Sequence, residues 1–227
     1  MDFESLSNSR FFQMLGGLLN MMLLNLLFIL STILSSGILM VPSLIALFGV
    51  TADVRAEKDY ELIKRYVTYL ITHIGYGLKM TLILVPIGFL TFLNIQFIQA
   101  YAEISGNVTM ALMSFFVFAF LIFLVLLTAL QMMLWRTQID VMTFRQSFNY
   151  SFAIVMSSFR SLLASMFLIT IVGIVTFLFP FALLFGLMAF FSYGFVLIYE
   201  KRYRTIAEHL SKKTHQEDVE TLKQNTD

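Results

Sequence analysis

Four long apolar runs, separated by shorter polar segments, dominate the pattern of the chain. A helix needs about 20 mostly apolar residues to cross a bilayer, and each run meets that length. Backbone in lipid must also satisfy its own hydrogen bonds, which favours helices over open strands. The pattern therefore predicts an all-α fold, a polytopic transmembrane helical bundle. The runs cover residues 13–51, 74–98, 108–134 and 161–199.

The distribution of lysine and arginine predicts how the two longest runs divide. Cations collect in the segments 52–72 and 135–160 and in the tail after Tyr199, whereas the connection 99–109 has none. Since lysine and arginine near span ends favour the cytoplasmic side, both charged segments and the tail are expected inside. The fourth run must then cross twice, with a turn near Pro180. The first run has no charge at its middle and is interpreted as one span, kinked near Gly37 and Pro42.

These arguments predict about five spans in one domain, residues 1–200, with the N-terminus outside. A short interfacial helix through Phe48 would lead into the first charged segment. The alternative is six spans with the N-terminus inside. A polar cytoplasmic tail is expected over residues 201–227. The five predicted spans are 13–39, 74–98, 108–134, 161–179 and 182–199.

Composition supports a membrane environment and excludes several kinds of site. Hydrophobic residues make up 59% of the chain and charged residues 13%, whereas soluble domains carry about 25% charged residues. The net charge of +1 provides no field that would favour nucleic acid. The absence of cysteine excludes disulfides and thiolate metal sites. We therefore expect the lipid bilayer as a partner, and no cofactor, metal or nucleic acid.

Polar and small side chains inside the predicted spans allow two interpretations. Asn20 and Asn25 lie in the first span, where an amide needs a hydrogen-bond partner. Asn25 is a candidate substrate contact, and the alternative is a packing contact between helices. Small residues at every fourth position predict a close-packing face, where a membrane partner could also bind, and the alternative is a polar pathway. They are Ala153, Ser157, Ser161 and Ser165.

Three polar residues recur at every third position where the second span begins: His73, Tyr76 and Lys79. They are candidates for a head-group or anion site at the cytoplasmic edge. The alternative is interfacial anchoring, with the lysine ammonium reaching out to water. Lys79 is the first candidate of the three, because it is the charge that lies most clearly inside a predicted span.

Residues of the first run resemble a known family. The chain has Leu-Leu-Asn-Leu-Leu-Phe over Leu23–Phe28, then Gly37, then Pro-Ser-Leu-Ile-Ala-Leu-Phe over Pro42–Phe48. An aromatic-studded segment follows and ends at Lys79. This pattern resembles the YesL family of bacterial membrane proteins, a domain of unknown function. The resemblance implies a multi-pass protein of the bacterial cell membrane with a role in carbohydrate utilisation, and it provides no catalytic residues.

Two hypotheses for function follow from these observations. The first is a non-enzymatic accessory or scaffold protein, linked to carbohydrate uptake or utilisation, that binds a membrane partner such as a transporter. The alternative is a small permease or the membrane subunit of a transporter, since proline-broken helices can line a substrate site. No glycine-rich phosphate loop, metal-ligand spacing or catalytic triad is found in the sequence, so we predict no enzyme activity.

Overall fold

The computed structural model describes residues 10–55, 61–138 and 143–202, and within these ranges it contains helices and no strand. The all-α fold class is confirmed. Most of the predicted tail, residues 203–227, lies outside the described residues. The elements are α1 (Arg10–Leu34), α2 (Met40–Arg55), α3 (Leu62–Ser105), α4 (Val108–Gln138), α5 (Phe144–Ser157), α6 (Phe159–Leu178), a 3-10 turn (Pro180–Leu183) and α7, which is helical over residues 187–202.

Several of these helices have the length and apolar character of membrane spans. Four qualify among the described residues, and α2 is a shorter apolar helix. The expectation of a helical membrane protein is thereby supported at the level of length and composition. The division into five or six spans, and the orientation of the chain, remain predictions. The four qualifying stretches are Leu15–Leu34, Leu62–Ser105, Val108–Thr137 and Phe159–Leu178.

The first apolar run forms a helical hairpin instead of one kinked span. Helix α1 ends at Leu34, and Gly37 adopts a φ of 85°, a conformation that glycine allows. The Gly37 N–H donates to the Thr32 carbonyl at 2.8 Å, which closes the end of the helix. Helix α2 then folds back, so that the hydroxyls of Ser31 and Ser43 meet at 2.8 Å.

Helix α2 belongs to the core of the molecule. Ile45, Leu47 and Phe48 are fully buried, and α2 shows almost no separation of a polar from an apolar face. A helix through Phe48 forms as predicted, but it lies in the core of the molecule and not at the membrane interface. Pro42 lies in the first turn of α2, where its missing N–H breaks no hydrogen bond within the helix.

Helix α3 has two halves with different surroundings. Its 44 residues extend over about 66 Å, more than twice the thickness of a hydrocarbon core. The first half packs into the core through Tyr66, His73, Gly77 and Met80. No residue after Met80 is buried in α3, and Pro86 lies shortly after this change of surroundings.

The second half of α3 and the first half of α4 form a pair of helices that we call the arm, residues 82–126. Gly106 closes α3 with a φ of 65°, and the Asn107 side chain accepts the Met110 N–H at 3.1 Å to begin α4. Within the arm only Ala111 is buried. Nearly all apolar side chains of the arm are therefore exposed or partly exposed on the surface of the molecule.

The segment predicted as the second charged loop is largely helical. Helix α4 continues to Gln138, and α5 begins with a capping box in which the Thr143 and Gln146 side chains each accept the other's backbone N–H. Ser158 has extended backbone and separates α5 from α6. The stripe of small residues is therefore divided between two helices, which explains why it does not form one continuous packing face.

Helices α6 and α7 lie side by side, with the reversal over residues 179–186. The Ser165 hydroxyl donates to the Tyr199 hydroxyl at 2.9 Å, and Gly194 packs against the Leu168 side chain. The predicted turn near Pro180 falls in this connection. Phe195 and Tyr199 of α7 are fully buried, and Phe195 contacts Phe48 of α2 with ring centroids 5.5 Å apart. Helix α7 thus completes the core around α2.

Candidate functional site

A group of half-buried and buried polar side chains lies between α3, α4 and α5, and we call it the polar cluster: Tyr76, Arg136, Ser147 and Ser151. The Arg136 guanidinium lies 5.4 Å from the centroid of the Tyr76 ring, a cation–π distance. The Tyr76 hydroxyl faces the Ser147 hydroxyl. Ser147 and Ser151 are one helical turn apart on α5, and both are fully buried. The cluster joins three helices through polar groups.

Three hydroxyls of the polar cluster have unused hydrogen-bonding capacity. In the described part of the chain, the hydroxyl oxygens of Tyr76, Ser147 and Ser151 are buried and make no hydrogen bond of ordinary geometry. Leaving such a group unpaired costs about 1–3 kcal/mol, and buried polar groups normally find a partner. The chemistry available here is hydrogen bonding by these three hydroxyls, next to the Arg136 guanidinium.

Aromatic side chains contact the polar cluster or are next to its members in the chain. The Tyr76 ring contacts Phe144 with centroids 5.7 Å apart, and the fully buried Trp135 contacts Tyr150 at 6.2 Å. Aromatic walls around a few polar groups are typical of small-molecule sites. Among the described residues, no group of three His, Cys, Asp or Glu side chains could hold a metal ion.

A buried carboxylate lies at the α2–α3 interface. The Asp53 carboxylate is almost fully buried, and it accepts hydrogen bonds from Arg65 and from the Tyr69 hydroxyl, both at 3.1 Å. Burial of a charge is tolerated when hydrogen bonds and an opposite charge compensate it. Asp53 therefore serves to fasten α2 to α3. Its segment was expected to be a loop, so sequence reasoning missed this role.

Asn25 is fully buried and binds the connection between α6 and α7. Its side-chain N–H donates to the carbonyls of Leu183 and Leu184, and its Oδ1 accepts the Met188 N–H at 3.1 Å. Backbone groups at helix ends have no partner within the helix. Asn25 satisfies these groups, which corresponds to the packing interpretation of its sequence position.

The three residues His73, Tyr76 and Lys79 do not come together as one site. His73 is buried and stacks on Tyr69 at 5.9 Å, Tyr76 is half-buried in the polar cluster, and Lys79 is exposed. A spacing of three residues falls short of one helical turn by about 60°, so two such steps rotate Lys79 well away from His73. The predicted common face is therefore wrong, although Tyr76 belongs to the candidate site.

The structure adds residues to the site that the sequence analysis did not select: Arg136, Ser147 and Ser151. A sequence signal did exist for the serines, since they are spaced by four on a segment whose Phe148 and Phe152 have the same spacing on another face. In a soluble helix, hydropathy predicts that the phenylalanine face is buried and the serine face exposed. Here the serine face is buried and the phenylalanine face is exposed.

Substitution by alanine should affect stability differently at Ser165, whose hydroxyl is hydrogen-bonded, and at Ser151, whose hydroxyl is not. Ser165→Ala removes the hydrogen bond to Tyr199, and we expect it to lower the free energy of unfolding by about 0.5–1.5 kcal/mol. Ser151→Ala removes a hydroxyl without a partner, so stability should be unchanged or slightly higher. Unfolding by SDS in mixed micelles measures both. Equal losses for the two variants would contradict the assignment of Ser151 as unpaired.

Comparison with known proteins agrees with the resemblance read from the first run. The model of DUF624, described as a protein of unknown function, matches residues 21–95. The match includes most of α1, all of α2 and α3 as far as Ile95. No curated protein matches the chain, and no solved structure does. The resemblance to the YesL family is confirmed, because residues 21–95 carry DUF624, the domain of unknown function that this family contains.

Proposed function

We propose that this chain is a non-enzymatic accessory or scaffold protein of the bacterial cell membrane that binds a second membrane protein through its arm. The link to carbohydrate uptake or utilisation comes from the resemblance to the YesL family. The proposal is supported by the exposure of the arm, where apolar side chains are available to a neighbour along both helices. Because lipid alone could cover an apolar surface, the evidence for a protein partner comes from the polar groups of the arm.

The observation that favours a protein partner is Asn94. Its side chain is exposed on the arm and forms no hydrogen bond with a described residue. It lies 11 residues before the end of α3, about 16 Å from the tip of the arm. An amide at this position has no good partner in hydrocarbon, and helices in membranes associate through such groups. A partner helix would supply the missing hydrogen bond.

The surroundings of Asn94 have the form of a helix-binding groove, which we call the arm groove. It has a volume of 670 Å³ and lies between the two helices of the arm. Its lining combines Asn94 and Ser114 with the small Ala111 and the ring of Phe97. Small residues allow a close approach of a further helix, while polar residues provide hydrogen bonds. This combination fits a transmembrane helix of a partner protein.

Photo-crosslinking in cells tests the proposal. A benzophenone amino acid at Phe97, in the arm groove, should yield a covalent adduct with one membrane protein. The matched control is Phe167 on α6, because both side chains are 70% exposed and both belong to helices apolar enough to span a membrane. We expect only lipid adducts at Phe167. Lipid adducts alone at both positions would contradict partner binding by the arm.

A pair of amide substitutions tests the role of Asn94. Asn94→Leu should reduce recovery of the crosslinked partner about 3- to 30-fold, given about 0.6–2 kcal/mol for an interhelical hydrogen bond. Gln96→Leu is the control, since Gln96 is exposed on the same helix but does not line the arm groove. Equal recovery with both variants would remove Asn94 from the interface.

A small permease, or the membrane subunit of a transporter, is the second candidate function. The observation that favours it is the interruption between α6 and α7, where Asn25 binds backbone groups at the end of a helix. Carriers often place substrate sites at such breaks. Proteoliposomes containing the chain alone should then take up a radiolabelled sugar. Uptake no faster than in protein-free vesicles, for a broad panel of sugars, would rule against transport by the chain alone.

A further inference from the structure

A second groove lies at the base of the arm, between α3, α4 and α5, and we call it the basal groove. It has a volume of 450 Å³ and is lined by apolar side chains of all three helices. Its one polar lining residue, Thr128, uses its hydroxyl to bond the Leu124 carbonyl at 2.8 Å. The groove therefore offers no free hydrogen-bonding group, which suits a hydrocarbon chain and excludes a polar solute.

Helix α5 gives the basal groove an aromatic wall that is open to the surroundings. Phe148 and Phe152 stack with ring centroids 6.2 Å apart and planes inclined by 11°, and both line the groove while remaining about half exposed. Phenylalanine on the apolar face of a helix is typical of segments that lie in the membrane interface. An acyl chain could enter the groove along these two rings directly from the bilayer.

Two cations are next in the chain to residues that line the basal groove, Lys79 beside Met80 and Arg145 beside Phe144. The contact between Tyr76 and Phe144 joins α3 to α5, with ring centroids 5.7 Å apart. Lys79 lies three residues after Tyr76, slightly less than one turn, and Arg145 follows Phe144 directly. Both cations are exposed, and neither forms an ion pair with any carboxylate in the described ranges. Their charges are available to an anionic ligand.

We infer that the basal groove is a binding site for an anionic phospholipid, with one acyl chain against Phe148 and Phe152 and the phosphate between Lys79 and Arg145. A phospholipid has an apolar chain covalently joined to an anionic head, and the groove presents apolar and cationic surfaces in the same order. Basic pockets beside apolar helix surfaces select anionic lipids over zwitterionic ones. The basal groove adjoins the arm groove at Leu121, which lines both, but the lipid site does not depend on partner binding.

Lipid retention by the purified protein tests the charge part of the proposal. After exchange into detergent with equal amounts of phosphatidylglycerol and phosphatidylcholine, native mass spectrometry should show preferential retention of phosphatidylglycerol. Each of Lys79→Gln and Arg145→Gln should reduce that preference about 5-fold, and the double variant should abolish it. Arg160→Gln is the matched control, because Arg160 is exposed on α6, a helix that contributes no residue to the lining of the groove. Equal retention of both lipids by the unchanged protein would overturn the proposal.

A filling substitution tests the acyl-chain part. Val125 lines the basal groove and is 40% exposed, so Val125→Trp can occupy the groove without disturbing the core. We expect loss of the retained lipid. Val117→Trp, on the same helix but outside this groove, should retain it. Retention by both tryptophan variants would overturn the acyl-chain assignment, and displacement of the lipid by inorganic phosphate would show a free-anion site in its place.

Discussion

Gly77→Ala is expected to be strongly destabilising, because it adds a methyl group where α3 touches the backbone of α2. A Cβ at position 77 would lie 2.6 Å from Pro42 Cγ and 2.8 Å from Pro42 Cα. The proline ring is rigid and its Cα belongs to the backbone, so the helices must move apart to accept the methyl group. Overpacking of this kind costs about 1–3 kcal/mol, and more where the backbone cannot adjust.

A glycine two residues earlier provides the matched control. A Cβ at Gly75 meets no atom within 4 Å, and alanine is favoured over glycine in a helix by about 0.8–1 kcal/mol. Gly75→Ala should therefore be neutral or stabilising in SDS unfolding, whereas Gly77→Ala lowers stability. The Gly77 variant should also expose α2 to proteolysis. If the two variants had the same stability, the close approach of α3 to Pro42 would be contradicted.

Asn25→Leu is expected to have the second large effect. Leucine is similar in size, but it would leave the Leu183 carbonyl and the Met188 N–H without their side-chain partner in the core. Each buried polar group left unpaired costs about 1–3 kcal/mol, although membrane measurements give smaller values for single hydrogen bonds. We expect a loss of about 2 kcal/mol in the free energy of unfolding, together with faster hydrogen exchange of the Met188 amide.

The control for Asn25 is Asn20, which lies on the same helix. Its side chain is half exposed and forms no hydrogen bond with a described residue, so Asn20→Leu should leave stability unchanged or raise it. Comparison of the two variants separates the hydrogen bonds from the general effect of a more apolar helix. An equal change in stability in both variants would contradict the assignment of Asn25 as a hydrogen-bond partner of the 183–188 backbone.

The main elements of the fold could be predicted from hydropathy, because a span in lipid must be long, apolar and helical. The second and third runs correspond to the apolar parts of α3 and α4, and the short connection between them contains Gly106 as expected for a helix end. The first run was harder to divide. Its reversal depends on the left-handed conformation of Gly37 and on the packing of α2 into the core. Neither property can be recognised from local hydropathy.

The candidate site could be predicted only in part. Tyr76 was selected for its position at the start of a span, and it does lie in the polar cluster. His73 and Lys79 were grouped with it by spacing, but the helix rotation places them on different sides. Ser147 and Ser151 are spaced by four, which places them on one helix face, but this spacing does not show whether that face is buried or exposed. Their burial follows from the packing of α5 against α3 and α4.

The sequence alone therefore indicated a membrane environment and the long apolar helices, because the length and apolar character of a segment are local properties. The DUF624 segment was likewise readable from short local motifs. The tertiary structure alone decided the partners of the polar side chains, such as Asn25 with the 183–188 backbone and Asp53 with Arg65. Those pairings join residues far apart in the chain, and only the packing of helices brings them within hydrogen-bonding distance.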